Sequence, residues 1–248
     1  MRCFILGVLW SATLYAQWNE WESYDETGYS LQILSMDGLY QKYRFYPSKS
    51  TDSKIHVLLM SDGASSDLSR ETLAKNLQNE FHVWISPCRH SGRPTFLGAS
   101  YHRAISVKYT RPFFEKKPFV GKAYFDHTDF EFQFPDMKGD PDKIVAIIPY
   151  HSLKELSINP YFTRKFAKII ILSPPENIMT NKNTETLLQN SEILWIAHEN
   201  AKYRLNRMKI KWGGDVKTYF KAGHNYQIFM RNHLAMGDIS DWIKQKAK

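Results

Sequence analysis

Six short apolar runs, separated by longer polar or amphipathic stretches, constrain this 248-residue chain more than any other feature of its sequence. Most of the runs are rich in Val and Ile and nearly continuous, which is typical of strands covered on both faces. They lie at 55–60, 81–86, 144–148, 169–172, 193–197 and 216–220. Strands that alternate with helices indicate an α/β fold with a mostly parallel central sheet and right-handed crossovers.

An antiparallel hairpin is predicted ahead of this sheet. Two half-apolar segments, 31–34 and 40–46, flank an Asp37-Gly38 pair. Asp-Gly between two alternating segments is a strong hairpin signal.

Two helices are clear from the pattern. The first begins near Ser65 to Asp67, which offer an N-cap, and its leucines fall on roughly one helical face. The last is predicted at 239–247, with Trp242 and Ile243 facing inward. These helices are expected to cover the sheet.

The first 16 residues resemble a secretory signal peptide. Arg2 supplies a positive charge, an apolar run follows, and small residues precede a possible cleavage after Ala16. The run is too short to span a bilayer, and the alternative is a short buried strand or helix. We therefore expect a secreted or periplasmic protein without stable membrane insertion after cleavage, with a cytoplasmic location as the alternative. Residues 17–29 then form a loose lead-in, and 30–248 form one domain.

Composition limits the possible partners. The net charge is +8, but Lys and Arg are spread along the chain, so we expect no nucleic-acid recognition. The phosphate-binding pattern GxxxxGK[ST] and the CxxC zinc spacing are absent, and the nine histidines show no HExxH spacing. We therefore expect neither a cofactor nor a metal.

An aromatic-rich insertion is predicted at 94–135. This stretch lacks a helical pattern, although 130–134 alternates like a strand and 120–125 could pair with it. The insertion either roofs a pocket or covers the sheet, and the sequence leaves both open.

The order of elements, with three local stretches, resembles the α/β-hydrolase fold over residues 30–248. The first is ASSDLSRETLAKNL with HVWISPCRHSGRP, which is similar to the first helix and the turn after the fourth strand of that fold. The second, IIPYHSL, stands where the family has its nucleophile elbow. The third, KAGHNYQ, stands where the family has its catalytic histidine. The stretch 173–192 is short, so the helical cap that many relatives carry after the sixth strand is expected to be missing.

The resemblance implies a Ser-His-acid site. Ser152 would be the nucleophile and His224 its base, each following a strand directly. Ala201 stands at the best-aligned position of the family's acid, so Glu199 is the first substitute and Glu176, after the preceding strand, is the second.

The oxyanion donors implied by the family are backbone N–H groups. Those of Ser61 or Asp62 would act together with that of Leu153, the residue after the nucleophile. The glycines of the G-x-S-x-G elbow are replaced by Tyr150 and Lys154, which predicts an opened or distorted turn.

Other nucleophiles were weighed. Ser100 follows a small residue, but no apolar strand leads into it, so it is the alternative nucleophile. Cys88 lies beside Arg89, which could lower a thiol pKa, yet it stands where the family has a structural turn. Ser152 remains the first hypothesis.

The sequence therefore predicts a hydrolase of carboxylic esters or thioesters acting on a small-molecule substrate with an apolar group. The alternative is a non-catalytic α/β-hydrolase-like binding domain of the cell envelope, which the altered elbow and the missing acid favour. A nucleotide-binding domain is disfavoured, because the loop after 55–60 has only Gly63.

Overall fold

The computed structural model describes residues 21–25, 27–34, 40–60, 67–86, 144–149, 153, 166–174 and 182–245. The predicted signal peptide at 1–16 and the predicted insertion at 94–135 lie outside the described residues.

A nine-stranded mixed sheet forms the centre of the described chain. Its order is β1-β2-β3-β5-β4-β6-β7-β8-β9. Antiparallel pairs join β1 to β2, β2 to β3 and β3 to β5, while all pairs from β5 through β4 to β9 are parallel. The strands are Trp21–Asp25 (β1), Gly28–Leu34 (β2), Tyr40–Tyr46 (β3), His56–Leu59 (β4), His82–Ile85 (β5), Ile144–Pro149 (β6), Lys168–Leu172 (β7), Glu192–His198 (β8) and Asp215–Tyr219 (β9).

Five α-helices are described with this sheet. They are Asp67–Leu77 (α1), Lys182–Gln189 (α2), Lys202–Trp212 (α3), Gln227–Arg231 (α4) and His233–Lys244 (α5), and a 3-10 helix spans Glu199–Ala201. Residues 173–191 link β7 to β8, and in the described parts of this connection, 173–174 and 182–191, the only helix is α2, so these parts hold no helical cap. Within the described ranges, every helix is too short or too polar to cross a bilayer.

The predicted hairpin is confirmed, and the lead-in is corrected. Strands β2 and β3 pair antiparallel, with Leu34 opposite Tyr40, while the predicted Asp37-Gly38 turn lies outside the described residues. The lead-in predicted at 17–29 contains β1 and the start of β2, with Trp21 opposite Leu31. These residues form a strand because pairing with β2 satisfies backbone groups that a loose segment leaves to water.

Two apolar cores lie on the two faces of the sheet, because successive side chains of a strand point to opposite faces. On one face, Leu73 of α1 and Ile239 of α5 belong to the same buried cluster as Val57 and Leu59 of β4. On the other face, Leu187 of α2, Leu205 and Met208 of α3, and Leu153 share one buried cluster with Leu58 and Met60. Strands β6 and β7 are buried along their whole length, which confirms that their continuous apolar runs lie between two layers.

The last helix begins earlier than predicted. Asn232 caps α5 by accepting a hydrogen bond at its side chain from the Leu234 N–H at 3.0 Å, so the helix starts at His233. Trp242 and Ile243 are buried as expected.

Candidate active site

The described candidate residues lie at one edge of the sheet. The carboxyl ends of parallel strands meet at a common edge, here called the carboxyl edge, and the opposite edge is the amino edge. Glu199 opens the 3-10 helix directly after β8, and His224 follows β9 by five residues. Ser152 comes three residues after Pro149, the last residue of β6, and lies outside the described residues.

The histidine must reach back across the sheet to meet the segment after β6. Strands β7 and β8 separate β6 from β9, and three strand spacings amount to roughly 14 Å. The side chain of Tyr219, at the end of β9, is held in place, because its hydroxyl donates to Asp238 Oδ2 of α5 at 2.7 Å. Burial and that carboxylate raise the pKa of Tyr219, so its hydroxyl stays a donor.

Tyr226 ties the histidine loop to β4 and β6. Its hydroxyl donates to the Met60 carbonyl at 2.6 Å and lies 3.1 Å from the Ile147 carbonyl, and the side chain is fully buried. Met60 follows β4, and Ile147 is part of β6. The loop after β9 therefore crosses the ends of β8 and β7 and reaches the strand that precedes Ser152.

A second contact that holds the loop containing His224 lies at the end of β7. The Asn225 N–H donates to Ser173 Oγ at 2.9 Å, and the Ser173 N–H donates to the Ile196 carbonyl of β8 at 2.8 Å. His224 directly precedes Asn225 and lies two residues before Tyr226, so the backbone on its C-terminal side is held.

Left-handed backbone occurs at this edge in residues that carry side chains. The described non-glycine residues with positive φ are Ser173 (48°), Lys221 (52°) and Asn225 (49°). Ser173 follows β7, and the other two flank His224 in the loop after β9. L-residues adopt this conformation at a cost of roughly 1–2 kcal/mol each, and such positions cluster at functional sites.

Gly223 is required by space rather than by a left-handed φ. A Cβ built at this position would lie 2.6 Å from Gln227 Oε1 and 2.7 Å from Gln227 Cβ. The Gln227 N–H donates to the His224 carbonyl at 3.0 Å, which starts α4 directly after the histidine. A larger residue at 223 would push the loop away from α4.

The acid is not joined to the histidine. Glu199 and His224 are both exposed, and within the described ranges no hydrogen bond or ion pair links the carboxylate to the imidazole. His198 Nδ1 accepts from the Asn200 N–H at 3.1 Å and caps the 3-10 helix. Ala201 is buried. Glu199 therefore stays a prediction as the acid.

Of the oxyanion candidates, the structure describes Leu153 and the residue before Ser61, but not Ser61 or Asp62. Met60 precedes Ser61, is buried, and donates its N–H to the Ile147 carbonyl at 3.1 Å. Leu153 is 1% exposed and packs in the core on the α2 and α3 face. Four of the predicted site residues besides Ser152 lie outside the described residues and stay predictions: Ser61, Asp62, Glu176 and Ser100.

Sequence reasoning missed Ser173 and Tyr226 as positioning residues. Tyr226 stands in the stretch KAGHNYQ, and Ser173 directly follows the apolar run at 169–172. Their partners are backbone atoms far away in the sequence, which the sequence cannot name. One local signal exists, since Asn225 is a residue type that tolerates left-handed backbone.

The sequence matches no protein-family model, and no curated protein matches it. Solved structures do resemble it. An esterase from Pyrobaculum calidifontis superposes with a TM-score of 0.54 at 14% identity, over 94% of this chain and 90% of that chain. A dienelactone hydrolase from Anabaena variabilis gives 0.55 at 11% identity, over 89% and 98%. A zinc-bound cold-adapted esterase from an Arctic intertidal metagenomic library gives 0.58 at 12% identity, over 92% and 100%.

The chain has the α/β-hydrolase fold. Its sheet is mostly parallel with an N-terminal antiparallel hairpin, which confirms the predicted fold class. The low identity marks it as a divergent example of that fold.

Proposed function

We propose that this chain is a serine hydrolase of carboxylic esters or thioesters. One observation carries the proposal: the Tyr226 hydroxyl binds backbone directly after β4, at Met60, and within β6, at Ile147, and this brings the His224 loop back across the sheet. A loop that only closed the last crossover would have no need to reach β6. The fold is shared with proteins described as esterases and as a dienelactone hydrolase.

In the proposed reaction, Ser152 Oγ attacks the carbonyl carbon while His224 takes its proton. The negative charge that develops on the carbonyl oxygen is stabilised by the N–H of Leu153 together with that of Ser61 or Asp62. His224 then protonates the leaving alcohol or thiol. Water, deprotonated by His224, hydrolyses the acyl-enzyme. Glu199 orients the imidazole, with Glu176 as the alternative acid.

The proposed substrate is small and carries an apolar acyl or aryl group. The aromatic residues of the insertion at 94–135 favour such a group. The amino-terminal pattern favours a periplasmic or secreted location.

A second candidate is a non-catalytic binding domain with the same fold. The exposure of Glu199 and the missing bond between Glu199 and His224 favour it, because a triad base needs an acid to hold its tautomer. Apo sites are often loose, so kinetics must decide.

Ester hydrolysis tests the proposal. We expect the wild type to hydrolyse p-nitrophenyl esters and aryl thioesters, and His224→Gln to lose about 10³-fold in kcat/KM, the share of a general base. His233→Gln is the matched control, because His233 is also exposed but opens α5. Equal rates for wild type and His224→Gln would refute the mechanism. Binding of an apolar ester without turnover would favour the binding domain.

A further inference from the structure

Helix α3 presents an outward face with two large apolar side chains. The helix packs on the sheet through Leu205 and Met208, and Trp212 is half-buried against the same core. The 3.6-residue period places Tyr203 and Ile210 on the opposite side, two turns apart. They are 78% and 85% exposed, so neither contributes to the core.

Basic side chains surround this apolar pair. The eleven-residue helix has no acidic residue, and it carries five basic ones: Lys202, Arg204, Arg207, Lys209 and Lys211. No carboxylate occurs between Glu199 and Asp215. The helix thus contributes five positive charges to a chain with a net charge of +8.

The stability of the helix does not explain this arrangement. Lys202 and Arg204 lie in or next to the first turn, where the helix dipole favours carboxylates. Ile210 is β-branched and has a lower helix propensity than unbranched residues, and it gains no burial in return. Within the described chain, none of the salt bridges involves a residue of α3.

The helical period also determines on which side of α3 each basic residue lies. With Tyr203 and Ile210 at the centre of the outward face, Arg207 and Lys211 lie on one flank, and Lys202 and Lys209 lie on the other. A basic helix with an apolar centre matches a surface that is negatively charged and has an apolar layer beneath it.

We propose that α3 docks on an anionic membrane surface, with its axis parallel to the bilayer plane. Tyr203 and Ile210 enter the headgroup region, and the flanking basic side chains extend to the lipid phosphates. Charge complementarity selects anionic over neutral lipid. The exposed apolar pair selects a bilayer over a polyanion, because a polyanion has no apolar layer to receive Ile210. This docking does not depend on the proposed ester hydrolysis.

Vesicle flotation of the full chain tests this docking. We expect binding to phosphatidylcholine vesicles that contain phosphatidylglycerol, and no binding to phosphatidylcholine alone. Each basic side chain near such a surface strengthens binding by about fivefold, so Arg207→Gln/Lys209→Gln should weaken it about 25-fold. Tyr203→Ser/Ile210→Ser should weaken it by about tenfold, since it removes the apolar contribution.

The matched control removes the same charge elsewhere. Lys49→Gln/Lys54→Gln changes two exposed lysines outside α3 and should bind like the wild type. Equal weakening by this control would overturn the docking in favour of adsorption by net charge. Full binding by Tyr203→Ser/Ile210→Ser would also overturn it, as would retention on heparin without any vesicle binding. All the substituted side chains are exposed, and circular dichroism checks that each variant is folded.

Discussion

At the amino edge of the parallel sheet, the left-handed positions before β9 are Gly213 (φ 77°) and Gly214 (φ 91°), whereas at the carboxyl edge they are Ser173, Lys221 and Asn225. Glycine adopts this conformation without steric cost. The carboxyl edge instead keeps side chains there, and two of them belong to the contacts around His224. The amino edge therefore favours stability, whereas the carboxyl edge gives up stability to place particular groups.

The side-chain contacts at the two edges differ in the same sense. At the amino edge, buried Lys168 donates to the carbonyls of Trp242, at 2.9 Å, and of Gln245, which closes the end of α5. At the carboxyl edge, His224 and Glu199 are exposed, and no side-chain hydrogen bond is recorded for either within the described residues. The carboxyl edge therefore leaves the side chains of these two candidate residues accessible, although Tyr226 and Ser173 beside them are hydrogen-bonded.

The largest expected effect is at Gly214. A Cβ at this position would lie 2.4 Å from the Ile193 carbonyl oxygen, which is backbone of β8 and cannot move easily. Gly214→Ala should therefore lower the free energy of unfolding by about 3 kcal/mol, from strain at φ 91° plus this clash. Gly213→Ala is the control, because nothing lies within 4 Å of its Cβ position, and we expect about 1 kcal/mol. Urea unfolding measures both, and equal losses would contradict the clash.

The next effect is at Tyr226. Tyr226→Phe leaves the Met60 carbonyl without its buried donor and should cost about 1–2 kcal/mol. On the proposed mechanism it should also lower kcat about tenfold with little change in KM, because misplacing the proposed base, His224, raises the barrier to the reaction. Tyr219→Phe also loses a tyrosine hydrogen bond, but far from β6. Tyr219→Phe should lose stability while keeping kcat. If kcat fell equally in Tyr219→Phe and Tyr226→Phe, the fall would follow the loss of stability, and Tyr226 would have no positioning role of its own.

A smaller effect, of opposite sign, is expected at Lys221. Lys221→Gly should raise the free energy of unfolding by about 1 kcal/mol, because glycine removes the cost of φ 52°. Lys221→Ala is the control for the loss of the lysine side chain, whose Nζ lies 5.4 Å from the centroid of the Phe220 ring. It should give no gain in stability. Thermal unfolding of the three proteins decides. A destabilised Lys221→Gly would mean that the carboxyl edge stores no strain there.

The smallest effect concerns Glu80, at the amino edge. Lys244 Nζ donates to its carboxylate at 2.7 Å and Ser240 Oγ donates to the other oxygen, and these bonds lower the pKa of Glu80. A carboxyl group with a lowered folded-state pKa contributes stability above its unfolded pKa of about 4.3 and loses it as the pH falls through the folded value. Because the pair is partly exposed, Glu80→Gln should cost only about 0.5 kcal/mol at pH 7. The difference from wild type should shrink in urea titrations as the pH falls below the unfolded pKa of about 4.3, and a constant difference would exclude this linkage.

Burial decided how much of the fold was predictable from sequence. Each of the six apolar runs matches a strand to within one residue, because strands covered on both faces read as continuous branched residues. Strand β1 was not foreseen, since only its pairing with β2 orders it. The start of α5 was placed too late because Gly237 interrupts the helical pattern, and packing of Ala235 and Ile239 overrides that weakness.

The site was predictable only in its outline. Strand ends place His224 and Glu199 at the same edge, as the spacing indicated. The contacts that hold the histidine loop, through Tyr226 and Ser173, are tertiary bonds to backbone atoms and leave no periodic signal. The identity of the acid also depends on geometry, and the chain has no carboxylate at the position where the resemblance aligns one.

The most direct test of the central claim is fluorophosphonate labelling of the folded protein, with the modified peptide identified by mass spectrometry. A reactive serine expels fluoride and forms a bond from Oγ to phosphorus only when a base takes its proton. We predict one label on Ser152, absent from Ser152→Ala and strongly reduced in His224→Gln, and unchanged in His233→Gln. A folded wild type that takes no label, or a label that stays on Ser100 in Ser152→Ala, would contradict the account.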